Sequence, residues 1–179
     1  MKLQNLLVPV DFSVCSRLVA RHAAELVQLS GGQLTFLHVA TLPSGVAADA
    51  MITHDGRTES AGAWVARDAT AQLGEFLDDA AAANVKARTE VVLGDPAEAI
   101  LQTGDRLGCD MIVMGTHGRS GLARMVHGSV AESVLHRAHV PVLLIRREAR
   151  PECARADCQW CPHKGLSRAE KAVLSEAQG

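Results

Sequence analysis

Residues 115–129 read GTHGRSGLARMVHGS, which spaces Gly115, Gly118 and the pair Gly128-Ser129 as G-x2-G-x9-G-S directly behind the apolar run of residues 111–114. Glycines at these positions open backbone angles closed to other residues and let main-chain N–H groups approach an anion with no Cβ in the way. Ser129 precedes Glu132 by three residues and stands ahead of Val130, Val134, Leu135 and Ala138, so Ser-x-x-Glu reads as a capping box that opens a helix. The first turn of that helix carries unpaired N–H groups and a partial positive charge, a ready phosphate site, with Arg119 and Arg124 able to add charge. The chemistry indicated is the cradling of phosphates. It is neither a P-loop, because no Lys follows a Gly, nor a dinucleotide fingerprint, because no G-x-G-x-x-G follows the first strand.

The elements that must position this loop are legible as an alternation. Short aliphatic runs at residues 5–10, 33–39, 86–93, 110–115 and 140–146 predict strands, with amphipathic stretches between them. Residues 13–29 set Leu18, Val19, Ala23, Leu26 and Val27 on one stripe and stop at Gly31-Gly32. Residues 60–83 carry a similar stripe through Val65, Ala69, Leu73, Phe76, Leu77 and Ala80, and a third helix opens on a capping box at Asp95-Pro96-Ala97-Glu98 and ends at Gly108. Residues 42–57 show no sustained period and read as a mobile connection flanking the site. The expected fold class is α/β, a single doubly wound five-stranded parallel sheet with helices on both faces, occupying residues 1–147. Such sheets bind ligands at the carboxyl ends of the strands where strand order reverses, and the loops after the first, second and fourth strands all emerge there.

The sequence resembles the universal stress protein family, specifically its ATP-binding branch. The resemblance spans residues 2–147 through Leu6-Leu7-Val8-Pro9-Val10-Asp11-Phe12-Ser13, Leu37-His38-Val39, Gly94-Asp95-Pro96, the G-x2-G-x9-G-S motif and Val140-Pro141-Val142-Leu143-Leu144-Ile145. It implies an adenine nucleotide alpha hydrolase-like fold holding ATP, or AMP or ADP, with Mg²⁺ accompanying the phosphates. By that similarity Pro9, Val10 and Asp11 meet the adenosine, Val10 and Val39 offer backbone groups to the base, and Met114 packs beside it. Gly115, His117, Gly118, Arg119, Gly128, Ser129 and Val130 line the ribose and phosphates. It also implies a homodimer formed through the last strand, from Val140 to Ile145; burial of that strand under helices in a monomer is the alternative. The role implied is that of a stress-response regulatory dimer rather than a high-turnover enzyme. No general base is assigned, since His117 and His127 have no carboxylate orienter in sequence. Slow nucleotide hydrolysis on the same scaffold, suggested by His117 and Arg119, is the competing function.

Composition bounds the partners. Among 179 residues, 18 Lys and Arg face 20 Asp and Glu, and the formal charge of −2 gives no footprint for nucleic acid or an anionic membrane. No apolar run reaches the roughly 20 residues of a membrane span, and the N-terminus turns polar within a few residues, so the cytoplasm is the expected compartment. Three of the five cysteines crowd into residues 148–179, a C-terminal extension outside the family pattern. There Cys153, Cys158, Cys161 and His163 supply a Cys₃His set suited to zinc, though four ligands within eleven residues need a tight loop. An iron–sulfur group, a site shared between subunits, or reduced thiols acting as a redox sensor are the other readings. Ser167-Arg168-Ala169-Glu170 opens a short helix beyond them.

Overall fold

A computed structural model describes residues 3–54, 56–79, 85–116 and 129–145. His117, Gly118, Arg119 and Gly128 of the phosphate loop lie outside the described residues. So do Cys153, Cys158, Cys161 and His163 of the tail, and the short helix expected beyond them.

The chain opens with β1 (Asn5–Pro9), α1 (Val14–Ser30) and β2 (Gln33–Ala40). A hairpin, β3 (Met51–His54) and β4 (Arg57–Ser60), leads into α2 (Ala61–Asp79) and β5 (Ala87–Leu93). The remainder is α3 (Pro96–Leu107), β6 (Met111–Gly115), α4 (Ser129–Arg137) and β7 (Val142–Ile145). Five strands form one sheet in the order β5-β2-β1-β6-β7, all pairs parallel. The expected doubly wound α/β sheet is therefore present, with its strand order reversing between β1 and β6.

Period-two alternation builds two cores, one on each face. Leu6 and Val8 of β1 join Leu34, Phe36, Met111 and Val113 beneath α1 and α2, where Val19, Ala23, Leu73 and Phe76 cover them. Leu7 points the other way, with Leu37, Ile112 and Met114, and packs against Ile100 of α3 and Val134 of α4. A strand buried on both faces must be apolar at every position, and for that reason β1 and β6 read as continuous hydrophobic runs.

The helix ends follow local chemistry. Ser13 caps α1, its hydroxyl accepting from the Ser16 N–H at 3.2 Å, and Gly31 ends it at φ 72° with its N–H donating to the Val27 carbonyl at 2.8 Å. Gly32 is required for a different reason, because a Cβ there would lie 2.4 Å from the Leu3 carbonyl oxygen where the chain re-enters the sheet. Asp95 caps α3 by accepting from the Glu98 N–H at 3.0 Å. Only half of the expected capping box forms, because the Glu98 carboxylate accepts from Arg137 of α4 at 2.6 Å and from Gln102 at 3.1 Å. The Arg137 hydrogen bond, then that of Gln102, hold the Glu98 carboxyl below its ordinary value. A lowered carboxylate stabilises above its unfolded pKa, so this α3–α4 link is complete near neutrality and is lost as pH falls through the lowered value.

Two expectations are corrected. Residues 42–57 are not simply a mobile connection, since β3 and β4 pair antiparallel from Met51↔Ser60 to His54↔Arg57, with His54 edge-on to Trp64 of α2 at 5.5 Å. The backbone ties Ala61 N–H to Ala50 O (2.8 Å) and Gly62 N–H to Ala48 O (2.9 Å) fix this segment to the start of α2. Ser129, where the description resumes, is already within α4 rather than the cap before it.

Asp110 fastens the entry of the central strand. One carboxylate oxygen accepts from both Gln4 N–H (2.7 Å) and Asn5 N–H (2.8 Å), while its own N–H donates to the Asn5 carbonyl at 2.8 Å. Asp110→Ala is expected to lower unfolding free energy by about 2 kcal/mol, the scale of hydrogen bonds to a charged group. Urea denaturation at unchanged m-value checks it, and an unshifted midpoint contradicts it.

Candidate functional site

A cleft of about 510 Å³ opens at the carboxyl ends of β1, β2 and β6, where the strand order reverses. This volume lies within the range of small-molecule sites, roughly 300–1,000 Å³. Of the twelve nucleotide-site residues inferred from the sequence, the eight that are described all line it: Pro9, Val10, Asp11, Val39, Met114, Gly115, Ser129 and Val130.

The floor is set by how β1 ends. Val10 N–H still follows the ladder, donating to the Leu37 carbonyl at 2.8 Å, and its carbonyl accepts from Nδ1 of the buried His38 at 2.8 Å. A carbonyl can only accept, so the His38 proton is on Nδ1. Phe12 then turns the chain through φ 63°, a left-handed conformation that costs a bulky residue about 1–3 kcal/mol. Aromatic packing opposes that cost, with Phe12 stacked on His38 at 4.1 Å and tilted against Phe76 at 5.8 Å.

Asp11 is held at the mouth by this turn. Its Oδ1 accepts from the Ser16 hydroxyl at 2.5 Å and from the Ser13 N–H at 3.1 Å, and its N–H donates back to Ser16 Oγ at 3.0 Å. Asp11 is thus not the cap of α1; that role belongs to Ser13, and Asp11 braces the loop that presents it.

β2 runs on where β1 has stopped. The ladder between them ends at Pro9↔Leu37, with the Val10 N–H reaching the Leu37 carbonyl, while β2 continues to Ala40. Backbone N–H and C=O groups alternate sides along a strand; Ala40 faces β5, its carbonyl accepting from Gly94 N–H at 3.2 Å. Val39 therefore turns both its N–H and its carbonyl to the β1 side, above the last β1 residue and into the cleft.

The opposite wall is the end of β6 and the start of α4. Met114 is buried and Gly115 ends the strand; Thr116, also buried, donates its N–H to the Ile145 carbonyl at 3.2 Å. Ser129, Val130 and Ala131 bring the first turn of α4 to this wall, and with it the partial positive charge of a helix N-terminus.

Several lining residues were not anticipated from the sequence: Phe12, Ser16 and His38 below, and Asp68 and Gln72 of α2 along one side. The α2 pair is linked, Gln72 Nε2 donating to Asp68 Oδ2 at 2.7 Å. Its signal was the i, i+4 spacing of two polar groups beside the apolar stripe of Val65 and Ala69. No Lys or Arg lines the cleft among the described residues, so its charged side chains there are the carboxylates Asp11 and Asp68. Groups of three or more His, Cys, Asp or Glu able to hold a metal are likewise absent among the described residues. No described helix is long and apolar enough to cross a membrane.

A five-stranded parallel sheet covered on both faces, with a ligand-sized cleft at its switch point, defines the doubly wound α/β class. Within that class the chain belongs to the universal stress protein family, whose model matches residues 2–146. The universal stress protein MJ0531 of Methanocaldococcus jannaschii is 30% identical over 144 residues, covering 80% of this chain and 82% of that protein. Among solved structures, MJ0577 of the same organism shares the fold with a TM-score of 0.67 at 21% identity, over 84% of this chain and 100% of that one. A universal stress protein solved in complex with cAMP gives a TM-score of 0.61 at 25% identity, over 81% of this chain and 98% of that one.

Ser16 is the joint of the Asp11 loop, its hydroxyl donating to Asp11 Oδ1 and accepting from the Asp11 N–H and, at 3.5 Å, from the Ser13 hydroxyl. Ser16→Ala removes both hydrogen bonds between this hydroxyl and Asp11 and is expected to cost about 1–3 kcal/mol. Chemical denaturation measures this, and a loss below the error of the method would show that the loop does not depend on the hydroxyl.

Proposed function

We propose that the cleft binds an adenine nucleotide, ATP or its mono- or diphosphate, and that the protein acts as a nucleotide-responsive regulator in stress rather than as a high-turnover enzyme. The carrying observation is convergence: eight residues, Gly115 and Ser129 from motif spacing and the others from the family resemblance, line one cleft of about 510 Å³ at the switch point. Polarity supports the orientation. The acidic side, with Asp11 and Asp68, repels phosphate and suits the donors of a nucleoside, whereas the α4 N-terminus suits an anion. The overhanging Val39 N–H and carbonyl provide one donor and one acceptor for a base edge. A relative solved with cAMP supports the adenine nucleotide class. Mg²⁺ would arrive with a triphosphate, held chiefly by its oxygens.

The phosphate end is tested by Gly118→Val, which puts a branched side chain into the G-x2-G spacing. Titration calorimetry is expected to show ATP affinity falling at least tenfold, about 1.4 kcal/mol, at an unchanged melting temperature. Full affinity in the folded variant defeats the cradle. Multiple-turnover phosphate release that disappears in His117→Ala would instead favour the hydrolase reading.

We further propose that β7 carries a homodimer contact. It pairs only with β6 among the described residues, and Leu143 is 37% exposed on it. An apolar edge strand of this kind is a template for a second copy across a two-fold axis. Leu143→Lys is expected to shift sedimentation from dimer to monomer. A monomeric wild-type protein, or a variant that stays dimeric, counts against the contact.

A further inference from the structure

The α2 side of the cleft carries a polar pair that packing does not require. Asp68 and Gln72 are exposed at the helix surface, whereas Leu73 and Phe76 of the same helix bury against the sheet. Both line the cleft beside Val65 and Ala69. The Gln72 amide is oriented by chemistry, since the Asp68 carboxylate only accepts: the Gln72 nitrogen must face Asp68 Oδ2, at 2.7 Å, which turns the amide oxygen the other way. The pair thus keeps two acceptors, Asp68 Oδ1 and Gln72 Oε1, and one further N–H donor on Gln72 Nε2. α2 packs against β5 and β2, so these acceptors belong to the side of the cleft that holds Val39, away from the α4 N-terminus on the β6 side.

We infer that Asp68 and Gln72 form a base-selecting edge that accepts hydrogen bonds from the exocyclic 6-amino group of the bound purine. This rests on the proposed adenine nucleotide site and adds its specificity. The phosphates are drawn to the helix N-terminus and repelled by the carboxylates, which leaves the nucleoside at the α2 side. Of the groups that distinguish one purine from another at position 6, an amino group donates and an oxo group accepts. The Asp68 carboxylate, negative and able only to accept, favours the first and repels the second.

The test compares ATP with purine riboside 5′-triphosphate, which has hydrogen in place of the 6-amino group, and with 2′-deoxy-ATP. Calorimetry is run on the full-length protein and on the Asp68→Ala and Gln72→Leu variants. Both substitutions are on an exposed helix face, and thermal unfolding verifies that the fold is kept. The wild-type protein is expected to prefer ATP over purine riboside triphosphate by about tenfold, the modest discrimination of a partly solvated contact. Each variant is expected to lose about threefold of that preference, the Val39 carbonyl keeping the rest, while binding the 6-unsubstituted nucleotide as before. If the wild type shows no preference, or the variants retain it undiminished, the base-selecting edge is wrong although the nucleotide site stands. A variant-sensitive loss confined to 2′-deoxy-ATP would move the pair to the ribose and overturn the assignment. Failure of the wild type to bind any of the three nucleotides defeats the site itself.

Discussion

β1 has a parallel neighbour on each side, and the chain leaves those neighbours in opposite directions. From β1 it winds through β2 to β5 on one side, then returns to lay β6 and β7 on the other. The connections at the carboxyl end of the sheet therefore diverge over β1, and a crevice is left where no crossover helix can cover the strand ends. The Asp110 carboxylate, holding Gln4 and Asn5, sets the depth at which β1 enters. At the other end β1 stops at the Phe12 turn while β2 runs on to Ala40, which turns the Val39 backbone toward the cleft.

The end of β1 is also where the fold accepts strain. Phe12 has a left-handed φ without being glycine, and its ring is fixed by His38 and Phe76. The same His38 holds the Val10 carbonyl, and the same turn delivers Asp11 into its ring of bonds with Ser13 and Ser16. Strain, stacking and hydrogen bonding here form one arrangement, so the acidic group at the mouth is placed by the aromatic core beneath it. Across the cleft, the charge is that of a helix end rather than of a side chain among the described residues. A ligand negative at one end and rich in donors at the other matches that division.

Much of the fold was legible because burial on two faces leaves a simple trace. Leu6, Leu7 and Val8 could only be a central strand, and Gly31 and Gly108 mark helix ends that both adopt positive φ. The site was legible from spacing at Gly115 and Ser129, and from the family resemblance at Asp11 and Val39. The β3–β4 hairpin was missed although Asp55-Gly56 is a strong two-residue turn signal, because its strands carry Thr, His, Arg and Glu in place of an apolar alternation. Glu98 was read as completing a capping box, and only tertiary structure shows that Arg137, distant in sequence, takes its carboxylate. Phe12, His38, Asp68 and Gln72 were not anticipated for the same reason. Their place at the cleft depends on the approach of α2 to the sheet and on a backbone angle that no local pattern encodes.

The central claim is that an adenine nucleotide occupies the switch-point cleft, and amide chemical-shift mapping during an ATP titration tests it residue by residue. The expected result is saturable shifts concentrated at Asp11, Val39, Gly115, Ser129 and Val130, with β3, β4 and the α1 C-terminus unmoved. Shifts absent from those five amides at saturating ATP, or clustered on another surface, would contradict the account.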